Sequence, residues 1–447
     1  MAIYTVANAA ELQAALGRAV GGDRVLLAPG DYGQVRLANY NYASTVTVQS
    51  LKNADWAHFD GINIVKSSNL QFSWLDVGRG LEGAETGITQ LNSIRSSTNI
   101  RFDASRFHGS QDGDFTNDGV GLAIYDSTGV RVTGSEFTDL DRGIYVLRSN
   151  GTHIYSNDIH DLREDGINVA AANGIYISNN LIRDFHPSAG GHGDAIQFWN
   201  TGQTKGSANI AIKNNVIWMP QEHADPSLGV QGIFVTAPER YGYRNVTIEN
   251  NLVYANERWN GLSVDGATNL YMVNNTLLSA SNDGEKLWAR IDNSYQVNMR
   301  NNVAEEFIIN RTGFYGQGNN LNLTKTPSAR ALFADLIDPE DVSDLTTTGV
   351  GFQVPTGTIG SLLTGGLNAI AKLLPTGQVT GALETVLDDA SGTIDSILPV
   401  EADVAELNAP TIHSAVVATQ PVPVETLDLN VEIPFAVRLI DSFTALP

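Results

Sequence analysis

The sequence predicts a right-handed parallel β-helix, a solenoid of stacked coils, on three observations. First, paired Asn residues recur at intervals of about 22 to 36 residues between about residues 60 and 325, a spacing typical of solenoid repeats. The pairs are Asn157-Asp158, Asn179-Asn180, Asn214-Asn215, Asn250-Asn251, Asn274-Asn275 and Asn301-Asn302, and Ala104-Ser105 and Gly134-Ser135 hold the same place earlier. Asn tolerates left-handed backbone angles and its amides can ladder along a stack, so the pairs mark one recurring corner. Second, each repeat contains a strand of the form Gly143-Ile144-Tyr145-Val146-Leu147-Arg148, with apolar residues alternating with polar or aromatic ones. Third, the helical periodicity that an ankyrin-like or leucine-rich solenoid needs inside each repeat is missing.

Taken in order, residues 8–20 place Leu12, Leu16 and Val20 on one helical face, with Asn8 as N-cap and Glu11 three residues on. A short helix ahead of the first strand, residues 25–27, would cover the apolar end of a solenoid. Residues 1–30 are therefore read as the N-terminal cap and first coil, and residues 31–325 as the parallel β-helix. After Leu323 the repeat stops. Residues 326–447 contain two apolar-periodic pieces, 359–374 and 383–398, and a β-like piece, 426–440. This region is expected to cap the last coil, to make a homo-oligomer such as a trimer, or to dock on a larger particle, because exposed apolar helices of this length need a cover.

The formal net charge of −22 over 447 residues excludes a general nucleic-acid or anionic-membrane binder. With no Cys there are no disulfides or thiolate metal sites. No run of about 18 apolar residues predicts a membrane span. Met1-Ala2-Ile3-Tyr4 lacks the basic and apolar regions of a Sec signal, so an extracellular role implies signal-less export or association with a virion.

Stacking in register lets outward columns be read across coils. One column runs Ala123, Tyr145, Asn168, Gln197, Phe234, Ser263 and Trp288, and the next Tyr125, Leu147, Ala170, Trp199, Thr236, Asp265 and Arg290. The position just ahead of each strand is Arg142, Asp165, Asp194, Gln231, Asn260 and Glu285. The aromatic residues Tyr125, Tyr145, Trp199 and Trp288 thus share a face with Arg148, Asp165, Asp194, Asp265 and Arg290. Aromatic rings stack on sugar faces while carboxylates and guanidinium groups take hydroxyls, which is the chemistry of a polysaccharide groove. Two loop regions, one with Arg183, His186 and His192, the other with Trp218 and His223, are expected to overhang it. Asp165 and Asp194 are also read as turn caps, and Arg290 beside Asp265 as an ion pair or a substrate clamp. The Asp112-Gly113-Asp114 and Asn117-Asp118 cluster has the oxygen-rich composition of a Ca2+ loop without EF-hand spacing, and no cofactor is otherwise required.

On these residues the chain resembles the pectate-lyase-like β-helix superfamily over about residues 5–325. That superfamily includes polysaccharide lyases, some glycoside hydrolases, alginate epimerases and phage tailspikes. The opening, Val6 to Leu16 with Gly22-Asp23 and Ala28-Pro29-Gly30-Asp31-Tyr32, is similar to that of the alginate lyase and chondroitinase B family. That family has a Lys base in a Ser-Val-Lys-Ser strand and an Arg one coil later. Here Ser263-Val264-Asp265-Gly266 has Asp in the lysine position, and Leu287-Trp288-Ala289-Arg290 keeps the Arg. His192-Gly193-Asp194-Ala195-Ile196-Gln197 is similar to a His-x-Asp-Gly-Ile-Gln strand of polysaccharide-degrading and polysaccharide-binding β-helices. The resemblance implies a lyase- or tailspike-like depolymerase. In a lyase, His192 or a Tyr removes the proton and Arg290 or Arg148 neutralises the uronate. In a hydrolase, Asp165 and Asp194 form the carboxyl pair, about 5 Å apart. A non-catalytic host-recognition spike and a uronate epimerase are the alternatives.

Overall fold

Three parallel sheets wind around one apolar core. The computed structural model describes residues 1–355 apart from 52–54, 188–190, 192, 221–228, 238–240, 257–259, 281–285, 337, 338, 340 and 341. The sheets have 13, 11 and 12 strands, and neighbours within each sheet come from successive coils. One coil shows the path: Arg142–Leu147 in the second sheet, Asn150–Tyr155 in the first and Asp158–Leu162 in the third, followed by a loop to Ile167–Ala170 back in the second. Every strand pairing among the described residues is parallel, as in Tyr145 beside Asn168 and Asn168 beside Gln197. The interior is built from stacked Ile, Val, Leu and Phe, with Phe107 on Phe137 at 4.7 Å and Phe72 on Phe102 at 5.0 Å between ring centroids.

The Asn pairs divide their work between two physical tasks. In five of the pairs the first residue, Asn179, Asn214, Asn250, Asn274 or Asn301, has φ between 54° and 58°, the left-handed value that turns the corner from the first sheet to the third, whereas in the Asn157-Asp158 coil Ser156, with φ 56°, makes the turn and Asn157 takes the second, buried place. The second is buried and forms a ladder. The Asn180 side chain donates to the Ile154 carbonyl at 3.0 Å and to Asn215 Oδ1 at 2.9 Å, and the Asn180 backbone N–H donates to the same Asn215 oxygen at 3.0 Å. Asn157, Asn215, Asn251, Asn275 and Asn302 repeat this arrangement. Ser105 and Ser135 continue it downward with hydroxyls. At the corner between the second and first sheets a second ladder, through Ser97, Ser127 and Ser149, does the same with hydroxyl groups. Among the described residues the third corner carries no such ladder, and long connections such as 79–92 and 109–119 lie there.

The N-terminal helix spans Ala9–Leu16, and Asn8 Oδ1 caps it by accepting the Glu11 N–H at 3.0 Å, while the Glu11 carboxylate accepts the N–H of Ala7, one residue before the cap, at 2.9 Å. Two expectations are corrected here. The strand Ile3–Val6 precedes the helix and pairs in parallel with Arg24–Leu27, so the helix is the crossover between the first sheet's two opening strands rather than an element ahead of them. Val20 lies beyond the helix end and is exposed, because the helix stops at Gly17.

The third sheet's outer face changes character along the solenoid. In the early coils it bears His58, Asp76, Arg106, Glu136 and Asp158 in one column. In later coils Val216, Trp218, Leu252, Tyr254 and Leu278 face outward, and the stretch that follows the last coil folds back on them through Leu323, Ala329, Phe333, Val342, Leu345 and Phe352. This return segment is anchored by Phe352 N–H to Thr276 Oγ1 at 2.7 Å and Gly351 N–H to the Asn301 carbonyl at 2.7 Å. The apolar-periodic pieces 359–374 and 383–398 and the piece 426–440 lie outside the described residues. Replacing Asn215 by Ala strips the ladder of an amide and removes the partner of the Ile177 carbonyl and of the Asn180 backbone N–H, while Asn180 Nδ2 keeps only its bond to the Ile154 carbonyl. Such a loss costs about 1 to 3 kcal/mol for each stranded group, so N215A is expected to lower the denaturant midpoint by more than alanine at the exposed Asn209.

Candidate active site on the second sheet

The unladdered corner leads directly into the strands of the second sheet, which is why chemistry-bearing side chains collect at its leading edge. Glycines at 143 and 166 occupy the bend because a Cβ at either would lie 2.5 Å from a backbone oxygen of the next coil. The residue ahead of each bend therefore turns outward. Arg142, Asp165 and Asp194 take this place on three successive coils.

Around them an acidic cluster forms. Arg142 Nη1 meets Asp141 Oδ2 at 2.7 Å, its Nε lies 3.7 Å from Asp165 Oδ2, and its Nη2 lies 3.9 Å from Glu164. Arg163 approaches Asp141 at 3.9 Å. Asp165 Oδ1 accepts the Asp194 N–H at 3.0 Å, so Asp165 does hold the turn of the next coil. Its other oxygen accepts from Asn168 Nδ2 at 2.6 Å. The same Asn168 amide donates to Gln197 Oε1 at 2.8 Å, Gln197 Nε2 donates to Asp194 Oδ2, and the Trp199 indole N–H donates to Asn168 Oδ1. Five side chains on two adjacent coils are thus one hydrogen-bonded network that ends in an indole.

Burial disfavours the charged forms in this cluster. It pushes the Asp141 carboxyl up to about 6, against the opposing pull of Arg142. Burial and then the charge of Asp194 push Asp165 up to about 7. Asp165 and Asp194 share one buried environment, and their mutual repulsion favours a proton on the pair near neutral pH.

The aromatic residues expected to form a platform are brought together, but not as open rings. Tyr125 and Tyr145 stand 5.6 Å apart and pack with Val120, Leu147 and Ala170 into a small outer cluster, 7% and 8% exposed, and Trp199 lies half-buried at its edge. The Arg95 guanidinium covers the Tyr125 ring at 4.2 Å. Burial raises both phenols above their usual range.

Several expectations are corrected by the register. A shift between Asn260 and Leu262 sets Trp288 beside Asn260 and Arg290 beside Ser263, so Trp288 is not in the Gln197 column. Arg290 pairs with Asp292, two residues on in its own strand, and Asp265 instead accepts from Asn293 Nδ2 at 2.8 Å. Arg148 is held by both oxygens of Asp126, at 2.7 and 2.9 Å. Arg183 and Trp218, read from sequence as loop residues, lie in the third-sheet strands Leu181–Phe185 and Val216–Met219. His186 stacks on Phe115 at 4.0 Å and contacts Asp161 at 2.8 Å. His192, His223 and Glu285 lie outside the described residues. In the Asp112 loop, the carboxylates accept from groups of the loop itself, including the Asp114 N–H at 2.8 Å and Asn117 Nδ2 at 3.0 Å.

Sequence reasoning did not single out Asp141, Glu164 or Asn168 as site residues. The signal was present in the matching triplets Asp141-Arg142-Gly143 and Glu164-Asp165-Gly166, which put an acid beside the outward position in two consecutive coils.

No curated protein sequence matches this chain. Among solved structures it is similar to PfbA, a surface adhesin of Streptococcus pneumoniae, at 12% identity over 70% of this chain and 87% of that one, with a TM-score of 0.46. It is also similar to a Yersinia enterocolitica family 28 exopolygalacturonase, at 14% identity over 72% and 77% with a TM-score of 0.42. A third similar structure is the PL6 family alginate lyase AlyGC, at 15% identity over 70% of this chain and 49% of that one, with a TM-score of 0.39. The right-handed beta helix region family matches residues 40–218 and again 94–304, and with more than half of its length so matched the chain belongs to that family.

Proposed function

We propose that this protein binds a polysaccharide along the outer face of the second sheet and hydrolyses it with the carboxyl pair Asp165 and Asp194. One observation carries this reading. Two carboxyl groups occupy the same outward place on adjacent coils, and burial with mutual repulsion keeps a proton on the pair near neutral pH. Coils repeat at about 4.8 Å, close to the roughly 5 to 5.5 Å separation of a carboxyl pair in a retaining glycosidase. In this scheme Asp165 donates its proton to the glycosidic oxygen and the Asp194 carboxylate attacks the anomeric carbon. Water then releases the sugar, and Asp165 takes a proton back. Gln197, bonded to Asp194, and Trp199 are the groups that a sugar ring would meet first.

Hydrolysis is favoured over elimination by charge. A lyase needs a cation free to neutralise a uronate, whereas Arg148 and Arg290 are in ion pairs and Arg142 faces three acids. The acidic surroundings fit a glycan whose cleaved unit is uncharged. A second reading, glycan recognition without cleavage, is favoured by the burial of Asp194 and Asp165, 0% and 4% exposed, under a network that holds Trp199 in place.

Incubation with a panel of polysaccharides, followed for new reducing ends and for the ultraviolet absorbance of unsaturated products, separates these schemes. Hydrolysis yields reducing ends alone. Asp194→Asn is expected to lower kcat by about 100-fold or more while the variant still retains the glycan on an affinity gel. Retention without any turnover by the unaltered protein would select the recognition reading instead.

The pH profile gives an independent check. Asp165 acts while protonated, so kcat should fall as pH rises through about 7. Arg142 stabilises the ionised form of Asp165, and Arg142→Met is therefore expected to move that alkaline limb to higher pH. A limb that stays in place would disconnect Asp165 from the reaction.

A further inference from the structure

We propose that His58, Asp76 and His108, on three successive coils of the third sheet, form a site for a single divalent transition-metal ion such as Zn2+. This site lies on a different face from the second-sheet cluster and does not depend on the hydrolytic reading. The ligand atoms of the three residues all lie within 4.8 Å of one another. His58 Nδ1 is 3.0 Å from Asp76 Oδ2, and His108 Nε2 is 3.4 Å from Asp76 Oδ1. A tetrahedral ion with bonds of about 2.0 to 2.1 Å sets its ligands roughly 3.3 Å apart, so the side chains need little movement to close on one. Two imidazoles and a carboxylate suit Zn2+, Co2+ or Ni2+ and leave one position open.

The second observation is the state of His108. Its ring is 7% exposed, and Nδ1 lies 2.8 Å from the Gly109 carbonyl, an acceptor, so Nδ1 carries the hydrogen. The buried Nε2 atom has no hydrogen-bond partner. It lies 3.4 Å from an Asp76 carboxylate oxygen. A metal cation held by both groups would take the imidazole nitrogen and the carboxylate as ligands.

Each ligand also has the outer support that orients metal-binding side chains. His108 is fixed by the Gly109 carbonyl. His58 turns Nε2 toward Asp60 at 3.6 Å, which leaves Nδ1 for the ion. Asp76 Oδ1 is held by Arg106 at 2.9 Å, which fixes the carboxylate between the two imidazoles. Between them Gly78 pairs with His108, and a Cβ there would lie 1.8 Å from the His108 carbonyl oxygen, so only glycine allows this approach.

The test uses the full chain, free of any affinity tag, titrated with Zn2+ by calorimetry and with Co2+ by visible absorption. The expected result is one saturable equivalent, with Co2+ bands of a histidine and carboxylate site and a melting temperature that rises with Zn2+ concentration. His58→Gln, at a partly exposed position, and His108→Gln should each weaken binding by at least about tenfold, and Asp60→Asn should weaken it by a smaller factor. Circular dichroism of each variant before titration establishes that it is folded. Absence of a saturable equivalent, or an affinity unchanged in both folded histidine variants, overturns the proposal and leaves an ion-paired surface network.

Discussion

The buried amide ladder is the constraint on which the rest of the structure depends. A parallel solenoid must turn its chain sharply at each corner, and a sharp turn directs backbone N–H groups and side chains inward, where water cannot reach them. From Asn157 to Asn302 each amide satisfies a carbonyl of the preceding coil and accepts from the backbone below. Register follows from this. Because each Asn must sit over the last, each coil is locked to its neighbour at one point, and the residues counted from that point fall into fixed columns. The serine ladder at the second corner adds a further lock with a shorter side chain.

Two corners are locked in this way, and long connections such as 79–92 and 109–119 lie at the third, while the serine corner absorbs the longer link 200–207 with its ladder intact at Ser207. The third corner leads into the second sheet, so the residues just ahead of the glycine bends can be acidic without disturbing the core. The cluster of Asp141, Arg142, Glu164, Asp165 and Asp194 sits at this edge. Its energetics differ from a surface ion-pair array: the carboxyls of Asp141, Asp165 and Asp194 are close to fully buried, the acids outnumber the guanidinium groups that reach them, and Asn168 and Gln197 bond Asp165 and Asp194. Burial of unbalanced acids raises their affinity for protons, and that perturbation is what distinguishes this face from an ordinary solvated sheet.

The third sheet shows how one face can serve two ends. Early coils carry histidines paired with carboxylates, including His160, which Asp161 and Glu136 hold largely protonated at about 9 against the effect of burial. Later coils carry apolar residues instead, and the chain after the last coil returns to cover them. The change of chemistry along a single column marks where the return segment begins to shield the sheet from water.

The sequence by itself determined the fold and the order of the coils, because both follow from local chemistry. An Asn pair signals its left-handed turn wherever it occurs, and alternation of Ile, Val and Leu with polar residues assigns the faces of a strand. The columns through Ala123, Tyr145, Asn168 and Gln197, and the outward place of Asp165 and Asp194, were legible for the same reason. Only the tertiary structure decided which partners each charge takes. Counting cannot detect the register shift at Asn260 that moves Trp288 and Arg290 out of their expected columns, nor the choice of Arg290 for Asp292 and of Arg148 for Asp126. The proton affinity of Asp165 and the meeting of His58 with His108 likewise depend on burial and on contacts between separate coils, which are properties of distance in space rather than of order along the chain.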